Sequence, residues 1–226
     1  MCGRFTFNLP PELLAEIFGL AGISTVPVAR YNIAPTQQIS AVRQDATYNN
    51  LLDELRWGLI PSWTKDLQHG PLLNNARSET VAEKPSFRSA IKHRRCLIPS
   101  SGFYEWLRDG TSKTPYYIRL RDGSPMVYAG IWESWKSPEG ETVESCSMLT
   151  TEANSLIATI HERMPVILHP SEYPFWLDRE MIDPQKLVRL YQPYPADLIE
   201  MHQVSPLVNN ARNQGPDLIR AVTDTA

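Results

Sequence analysis

Two hydrophobic periodicities occur along this chain, one typical of helices and one typical of strands. The first helical pattern lies between Pro10-Pro11 and Gly19, and its apolar face consists of Leu13, Leu14, Ile17 and Phe18. Proline is favoured in the first turn of a helix and glycine just past its end. The pattern therefore predicts a short amphipathic helix near the N-terminus.

Apolar residues at alternate positions predict strands over much of the remaining chain. Strands near Ile39–Arg43 and Leu55–Leu59 are expected to pair across a turn at Asp45–Asn50. Later strands are expected at Cys96–Ile98, Phe103–Leu107, Tyr116–Leu120, Met126–Trp132, Thr142–Thr151 and Ile199–Val204. The sequences Arg108-Asp109-Gly110 and Arg121-Asp122-Gly123-Ser124 are typical of hairpin turns.

Other patterns separate these strands. Residues 24–36 are rich in proline and polar groups and predict an extended loop, because a residue before proline avoids the helical region. Short helices are expected around Phe87–Ile91, Asn154–Ile160, Ser171–Leu177 and Pro184–Tyr191. The order of elements favours an α+β fold. We predict one compact domain over residues 1–226, with a mostly antiparallel, barrel-like sheet, flanking short helices and a disordered tail of a few residues.

Composition narrows the class of protein. With 226 residues, 42% hydrophobic and 21% charged, the chain resembles an ordinary globular protein. Its net charge of −3 means that any nucleic-acid binding must come from a local patch. No stretch approaches the roughly 18 apolar residues of a membrane span. We therefore expect a cytoplasmic protein, and we expect it to be a monomer.

The three cysteines, Cys2, Cys96 and Cys146, lie far apart and form no C-x-x-C pair. This spacing argues against a disulfide framework or a zinc site. Cys2 is the one with distinctive chemistry, because a small residue at position 2 favours removal of Met1. Its α-amine, with a reference pKa of about 7.7–8.0, and its thiol, at about 8.5, would then be adjacent nucleophiles.

Such an aminothiol has two uses. It can form an imine with an aldehyde and close its thiolate onto the imine carbon, giving a thiazolidine without a cofactor. It can instead attack an amide as an N-terminal nucleophile, with its own amine as general base.

Two further residues could transfer protons. His161 lies beyond a predicted helix, and its unperturbed pKa near 6.5 suits a general acid or base, although a lone histidine is more often structural. Glu105 lies between Tyr104 and Trp106 in a predicted strand. Strand alternation favours a solvent-facing Glu105. The alternative is a carboxylate in an aromatic setting, which would have a raised pKa.

A local basic segment occurs within this acidic chain. Residues 77–95 contain six Lys and Arg against two Glu, a net charge of 6 − 2 = +4. Basic groups together with aromatic side chains such as Trp57 and Trp63 are used to bind single-stranded nucleic acid. Either tryptophan could equally lie in the core.

Six sequence stretches occur in order along the chain: Met1–Phe5, Arg30–Pro35, Trp57–Trp63, Asn75–Thr80, Gly102–Trp106 and His161–Pro165. Together they resemble the SOS response-associated peptidase (SRAP) family of abasic-site processing proteins, and the resemblance runs nearly end to end. The resemblance implies a domain that binds single-stranded DNA, or a single-strand/duplex junction, and crosslinks Cys2 to an abasic site through a reversible thiazolidine. The family name also implies a proteolytic activity, for which Cys2 would supply the nucleophile.

The resemblance also implies roles for individual residues. Asn75 would orient Cys2 and the sugar, Glu105 would be the acid/base group, and His161 would assist ring opening and reversal. The positions that match DNA-binding ones are Arg4, Asn32, Pro35, Trp63, Arg77, Lys84, Thr150 and Arg163. Two positions depart from some relatives: Thr64 replaces a second aromatic residue, and Pro85 replaces a basic one.

Two other functions remain open at this point. An N-terminal-nucleophile amidohydrolase of the glutamine amidotransferase type also begins Met-Cys-Gly, but Arg4-Phe5 departs from the small apolar continuation usual there. A non-covalent single-strand DNA-binding protein would make Cys2 incidental.

Overall fold

Strands rather than helices make up most of the regular structure, as the hydrophobic alternation predicts. The structure, a computed structural model, describes residues 2–65 and 70–222. Its strands are β1 Phe5–Phe7, β2 Leu20–Ile23, β3 Arg30–Ile33, β4 Gln38–Gln44, β5 Asn50–Trp57, β6 Asn75–Arg77, β7 Arg95–Ser100, β8 Gly102–Asp109, β9 Ser112–Leu120, β10 Met126–Lys136, β11 Thr142–Glu152, β12 Arg163–Pro165 and β13 Ile199–Gln203. The α-helices are α1 Pro11–Phe18, α2 Ala90–His93 and α3 Tyr173–Leu177, and 3₁₀ segments lie at Ile157–Thr159, Pro170–Glu172, Pro184–Tyr191, Ala196–Leu198, Pro206–Asn209 and Pro216–Ile219.

Five strands close into a barrel in the order β11-β10-β7-β4-β5. The neighbouring pairs are antiparallel, and the ring closes where β5 runs parallel to β11, with Cys146 opposite Trp57. Strands β2, β6 and β12 extend it at β5 and β11. This topology confirms the expected α+β fold with a barrel-like sheet.

A second, antiparallel sheet has the order β13-β9-β8-β1-β3. Strand β1 lies between β8 and β3, with Phe5 opposite both Phe103 and Ile33. The amide N–H of Tyr104 also donates to the carbonyl of Arg4 at 3.0 Å. The N-terminal residues are therefore held alongside the segment of β8 that carries Glu105.

Aromatic side chains join the two sheets. Trp57 is fully buried in the barrel, and Phe5 meets it edge to face with ring centroids 5.1 Å apart. Phe5 also lies 6.2 Å from the Tyr128 ring. Trp57 is thus a core residue, whereas Trp63 is 59% exposed. Packing at Phe5 fixes the chain three residues after Cys2.

Two local expectations were wrong. Arg30–Ile33 is a strand rather than loop, because β1 offers it a hydrogen-bonding partner. The helix expected at Asn154–Ile160 is reduced to one 3₁₀ turn, Ile157–Thr159, because Arg163–Pro165 pairs with β11 and draws the chain back into the sheet. Strands β1, β2, β6 and β12 were not predicted, since three or four residues give too short a periodic signal.

Some expectations concern residues that the structure does not describe. Met1 and the predicted tail at 223–226 lie outside the described residues. No helix in residues 2–65 and 70–222 is long and apolar enough to cross a membrane.

Gly102, at the start of β8, occupies a position with no room for a side chain. An added Cβ would lie 2.5 Å from the Ile118 carbonyl oxygen and 2.6 Å from the Tyr117 ring. Gly102→Ala is therefore expected to destabilise the fold by roughly 2–5 kcal/mol, combining steric overlap with backbone strain. Gly110→Ala is the control, because its Cβ meets nothing within 4 Å and costs only about 1–2 kcal/mol of left-handed strain. Equal losses in chemical denaturation would contradict this account.

Candidate functional site

Cys2 directly precedes Gly3, which lines a cleft of about 510 Å³ together with Arg4, Glu105 and His161. Its side chain is fully buried, and its Sγ lies 3.7 Å from the Arg4 carbonyl, to which the thiol donates. Burial, assisted by the negative charge of Glu105, raises the pKa of the Cys2 thiol above its usual range. The thiol is therefore protonated in this resting arrangement.

Asn75 holds the backbone of Cys2. Its Nδ2 donates to the Cys2 carbonyl at 2.7 Å, while its Oδ1 is buried and has no hydrogen-bond partner among the described residues. Strand β6 sets this position, because Asn75 pairs with Met148 of β11 in parallel register. An amide oxygen without a partner beside Cys2 suits a group that arrives with the substrate.

Glu105 is the carboxylate of the cleft, with 4% of its surface exposed. The expectation that it faces solvent was wrong, because β8 is covered on both faces: Phe103 packs in the main core, and Tyr104 packs in a second cluster with Tyr117, Val204 and Val208. Burial raises the pKa of Glu105, and the charges of His161 and Arg108 partly oppose this shift. A carboxyl group with a raised pKa can act as a general acid near neutral pH.

His161 and Glu105 face one another across the cleft, with His161 Nδ1 3.9 Å from Glu105 Oε1. The Arg163 amide N–H donates to His161 Nδ1 at 3.0 Å, which orients the ring. The imidazole is partly exposed, so it can meet a substrate that enters the cleft. The structure thus brings together the four residues that the resemblance implies as catalytic: Cys2, Asn75, Glu105 and His161.

Arg163 is 8% exposed. Its guanidinium makes two hydrogen bonds to the Glu79 carboxylate, at 2.6 and 2.9 Å, and one to the Thr150 carbonyl at 2.6 Å. Thr150 is fully buried. Both residues were expected to contact DNA, but in this structure they hold the wall of the cleft that carries His161.

The side chains of Arg4 and Asn32 also form hydrogen bonds within the protein. Arg4 donates to Asn32 Oδ1 at 2.7 Å and to the carbonyls of Val208 and Asn209. Asn32 is fully buried and donates to three carbonyls, those of Val208, Asn210 and Asn213. These bonds dock the segment of residues 208–213 against β1 and β3, an arrangement that no local pattern predicted.

The other expected DNA contacts reach the surface. Trp63, Arg77 and Lys84 are exposed, and Pro35 is partly exposed. Of the two departing positions, Pro85 is exposed, and Thr64 uses its carbonyl to accept the Trp135 indole N–H at 2.6 Å. The basic segment 77–95 also contains both exposed and buried residues. Arg95 is buried and donates to four backbone carbonyls, those of Ile91, Lys92, Trp176 and Asp178.

No set of three or more His, Cys, Asp or Glu side chains in the described ranges is placed to hold a metal ion.

The sequence interpretation missed part of the cleft wall. The cleft is also lined by Trp106, Arg108, Lys113 and Asn209. The hairpin register could have revealed Arg108 and Lys113, since the Asp109-Gly110 turn places them opposite one another.

The fold and the cleft define a class of α+β protein in which a cysteine near the N-terminus lies beside a buried carboxylate and an imidazole. The chain belongs to the family described as SOS response associated peptidase (SRAP), which it matches over residues 1–211.

Similar proteins agree with this assignment. The chain is 43% identical to abasic site processing protein YoqW of Bacillus subtilis (strain 168), over 98% of this chain and 100% of that protein. It is 32% identical to abasic site processing protein HMCES of Rattus norvegicus, over 97% of this chain and 75% of that protein. A crystal structure of a protein from Bacteroides thetaiotaomicron superposes with a TM-score of 0.88 at 25% identity, covering 98% of this chain and all of the other.

Proposed function

We propose that this protein processes abasic sites in single-stranded DNA by forming a covalent thiazolidine between Cys2 and the ring-opened deoxyribose aldehyde. The observation that carries the proposal is the placement of the buried Cys2 within electrostatic reach of Glu105, which lines one cleft together with His161. The names of the relatives YoqW and HMCES support abasic DNA as the substrate. The proposal requires removal of Met1, so that the Cys2 amine is free to react.

The proposed crosslinking reaction has two steps. The first is a condensation of the Cys2 amine with the aldehyde, and the second is an addition of the thiol. The Cys2 amine attacks the aldehyde carbon, and the resulting carbinolamine loses its hydroxyl as water to give an imine. The thiol sulfur then adds to the imine carbon, and the thiol proton is transferred to the nitrogen. The product has the mass of protein plus DNA minus one water, and the closed ring removes the aldehyde.

Each cleft residue has a role in these steps. Glu105, whose pKa is raised by burial, donates in its acid form the proton that the departing hydroxyl needs. His161 takes the proton of the anomeric hydroxyl and returns it to the ring oxygen, which opens the sugar. Asn75 positions Cys2 through its carbonyl and offers Oδ1 to a sugar hydroxyl.

Exposed groups on the surface would bind the strand. Arg77 and Lys84 supply positive charge for phosphates, and Trp63 with Pro35 supplies apolar surface against bases. Arg4, Asn32, Thr150 and Arg163 would support these walls through the contacts described above.

Arg77→Ala is expected to weaken single-strand DNA binding uniformly across sequences. Arg77 is exposed on β6, two residues after Asn75. Loss of one phosphate contact should reduce the slope of log affinity against log salt concentration by about 0.7. Fluorescence anisotropy between 50 and 200 mM KCl measures this slope. Arg88→Ala, from the same basic segment, is the control, and an equal effect in both would refute a specific phosphate contact at Arg77.

The direct test of the proposed function is a denaturing gel of protein mixed with an oligonucleotide that carries one abasic site. We expect a band that survives heat and detergent and that is absent with an intact oligonucleotide. Glutaminase activity without such a band would favour the amidohydrolase alternative. DNA binding without any adduct would favour the non-covalent alternative.

A further inference from the structure

One wall of the cleft is a basic hairpin that the proposed chemistry does not use. Arg108, on β8, and Lys113, on β9, both line the cleft. The two residues lie directly opposite one another in the antiparallel register, and both are exposed. Both follow Glu105 in the chain. Side chains that pair directly across antiparallel strands are close neighbours. The two cations therefore form one positive site at the mouth of the cleft.

Several arginines of the described residues are paired with carboxylates of the protein itself. Arg163 pairs with Glu79, Arg94 with Glu133, and Arg119 with Glu200. Arg4, in the same cleft, donates to Asn32 and to two carbonyls. Within residues 2–65 and 70–222, neither Arg108 nor Lys113 makes an ion pair or a side-chain hydrogen bond. Two like charges that lie opposite one another on a hairpin and form no ion pair suit an anion from outside.

The neighbouring Trp106 is held in a fixed orientation. Its indole Nε1 donates to Asn209 Oδ1 at 2.7 Å, and its ring lies 6.5 Å from the ring of Tyr104. The side chain remains partly exposed and lines the same cleft. An aromatic surface next to two cations is the combination that single-stranded nucleic acids bind, through base stacking and phosphate contacts.

We propose that Arg108 and Lys113 form a phosphate-binding site for the nucleotide next to the abasic site, with Trp106 as the surface for its base. This inference rests on the proposed function for the identity of the strand. The hairpin belongs to the β13-β9-β8-β1-β3 sheet, whereas Arg77 lies on β6 beside the barrel. The strand would thus be held from both sheets.

The site also bears on the chemistry at Glu105. The positive charge of Arg108 opposes the effect of burial on the pKa of Glu105. A phosphodiester bound at Arg108 offsets that charge, so the carboxyl group holds its proton more firmly when the flanking nucleotide is in place. Crosslinking should therefore be faster when the abasic site has a neighbour on the side that reaches this hairpin.

The test measures binding in the Cys2→Ala background, where no thiazolidine can form. We expect the double variant Arg108→Gln/Lys113→Gln to bind a single-stranded abasic oligonucleotide about 5- to 20-fold more weakly at 50 mM KCl. Its salt slope should fall by about 1.4, corresponding to two lost contacts. Lys136→Gln/Lys186→Gln removes the same charge from exposed positions that do not line the cleft, and it controls for net charge. Arg108→Lys/Lys113→Arg keeps both charges and should retain the affinity.

A second arm uses Cys2-containing protein and two oligonucleotides, one lacking the nucleotide 5′ of the abasic site and one lacking the nucleotide 3′ of it. The parent should crosslink one of them several-fold more slowly than an internal site, and Arg108→Gln/Lys113→Gln should lose that difference. A salt slope equal to that of the Lys136/Lys186 control would overturn the inference. If the parent forms no adduct while the slope still falls, the hairpin site stands and the proposed crosslinking fails.

Discussion

Replacing Cys2 by alanine is expected to abolish the stable DNA adduct while leaving most of the DNA affinity. The thiazolidine needs the sulfur, whereas affinity comes mainly from phosphate contacts at other residues. The variant keeps its α-amine, so it can still form the imine. Borohydride reduction should therefore trap a Cys2→Ala adduct that is lost when the reductant is omitted.

The matched control for Cys2 is Cys96→Ala. Both cysteines are fully buried in the same core, and burial raises the pKa of the Cys96 thiol to about 12. Removal of either sulfur leaves a comparable small cavity. Cys96→Ala should form the heat-stable adduct in full yield, and loss of the adduct in both variants would point to misfolding rather than chemistry.

Glu105→Gln is expected to slow adduct formation by roughly 10²-fold or more, the usual contribution of a general acid. Glutamine preserves the shape of the side chain but cannot donate the proton that the departing hydroxyl needs. DNA affinity should change little, because Glu105 is buried and does not belong to the exposed surface that we propose to bind phosphates. Single-turnover crosslinking at saturating DNA measures the rate, and Glu162→Gln, at an exposed position beside His161, is the control.

The pH dependence of the crosslinking rate gives a separate test of the role of Glu105. Its pKa is raised in the folded protein, so the acid form persists below that pKa and is lost as pH rises through it. The parent rate should fall over this interval, and that fall should be absent in Glu105→Gln. Folding stability has the same sign: it decreases as pH rises from the unfolded pKa to the folded one. Glu105→Gln should therefore be at least as stable as the parent at pH 8, and a large loss of stability there would contradict the account.

Long periodic segments were predictable from the sequence, and short ones were not. The helix before Gly19 and the β4–β5 hairpin follow from local patterns that the structure confirms. Gly19 ends the helix in the left-handed conformation, with φ of 56°. Strands β1 and β6 have three residues each, and their pairing with distant strands places Cys2 and Asn75. Such pairing depends on long-range contacts that a local window does not contain.

In the candidate site, too, some features could be predicted from the sequence and others depend on long-range contacts. Residue types and motifs singled out Cys2, Asn75, Glu105 and His161. The structure places Glu105 and His161 in one cleft and joins Asn75 to the Cys2 carbonyl. The burial of Glu105 could not be read from alternation, because β8 is sandwiched between two apolar clusters. The hydrogen bonds of Arg4 and Asn32 to residues 208–213 join parts of the chain that lie 176 to 205 positions apart, and only the folded chain reveals them.

Intact-mass spectrometry of the untagged protein tests the central claim most directly, before and after mixing with a single-stranded oligonucleotide that carries one abasic site. The free protein should have the mass of the chain without Met1. The mixture should contain a species at protein plus oligonucleotide minus one water without added reductant, and Cys2→Ala should not form it. Protein that lacks Met1 and binds the DNA, yet shows no such species, would contradict the account.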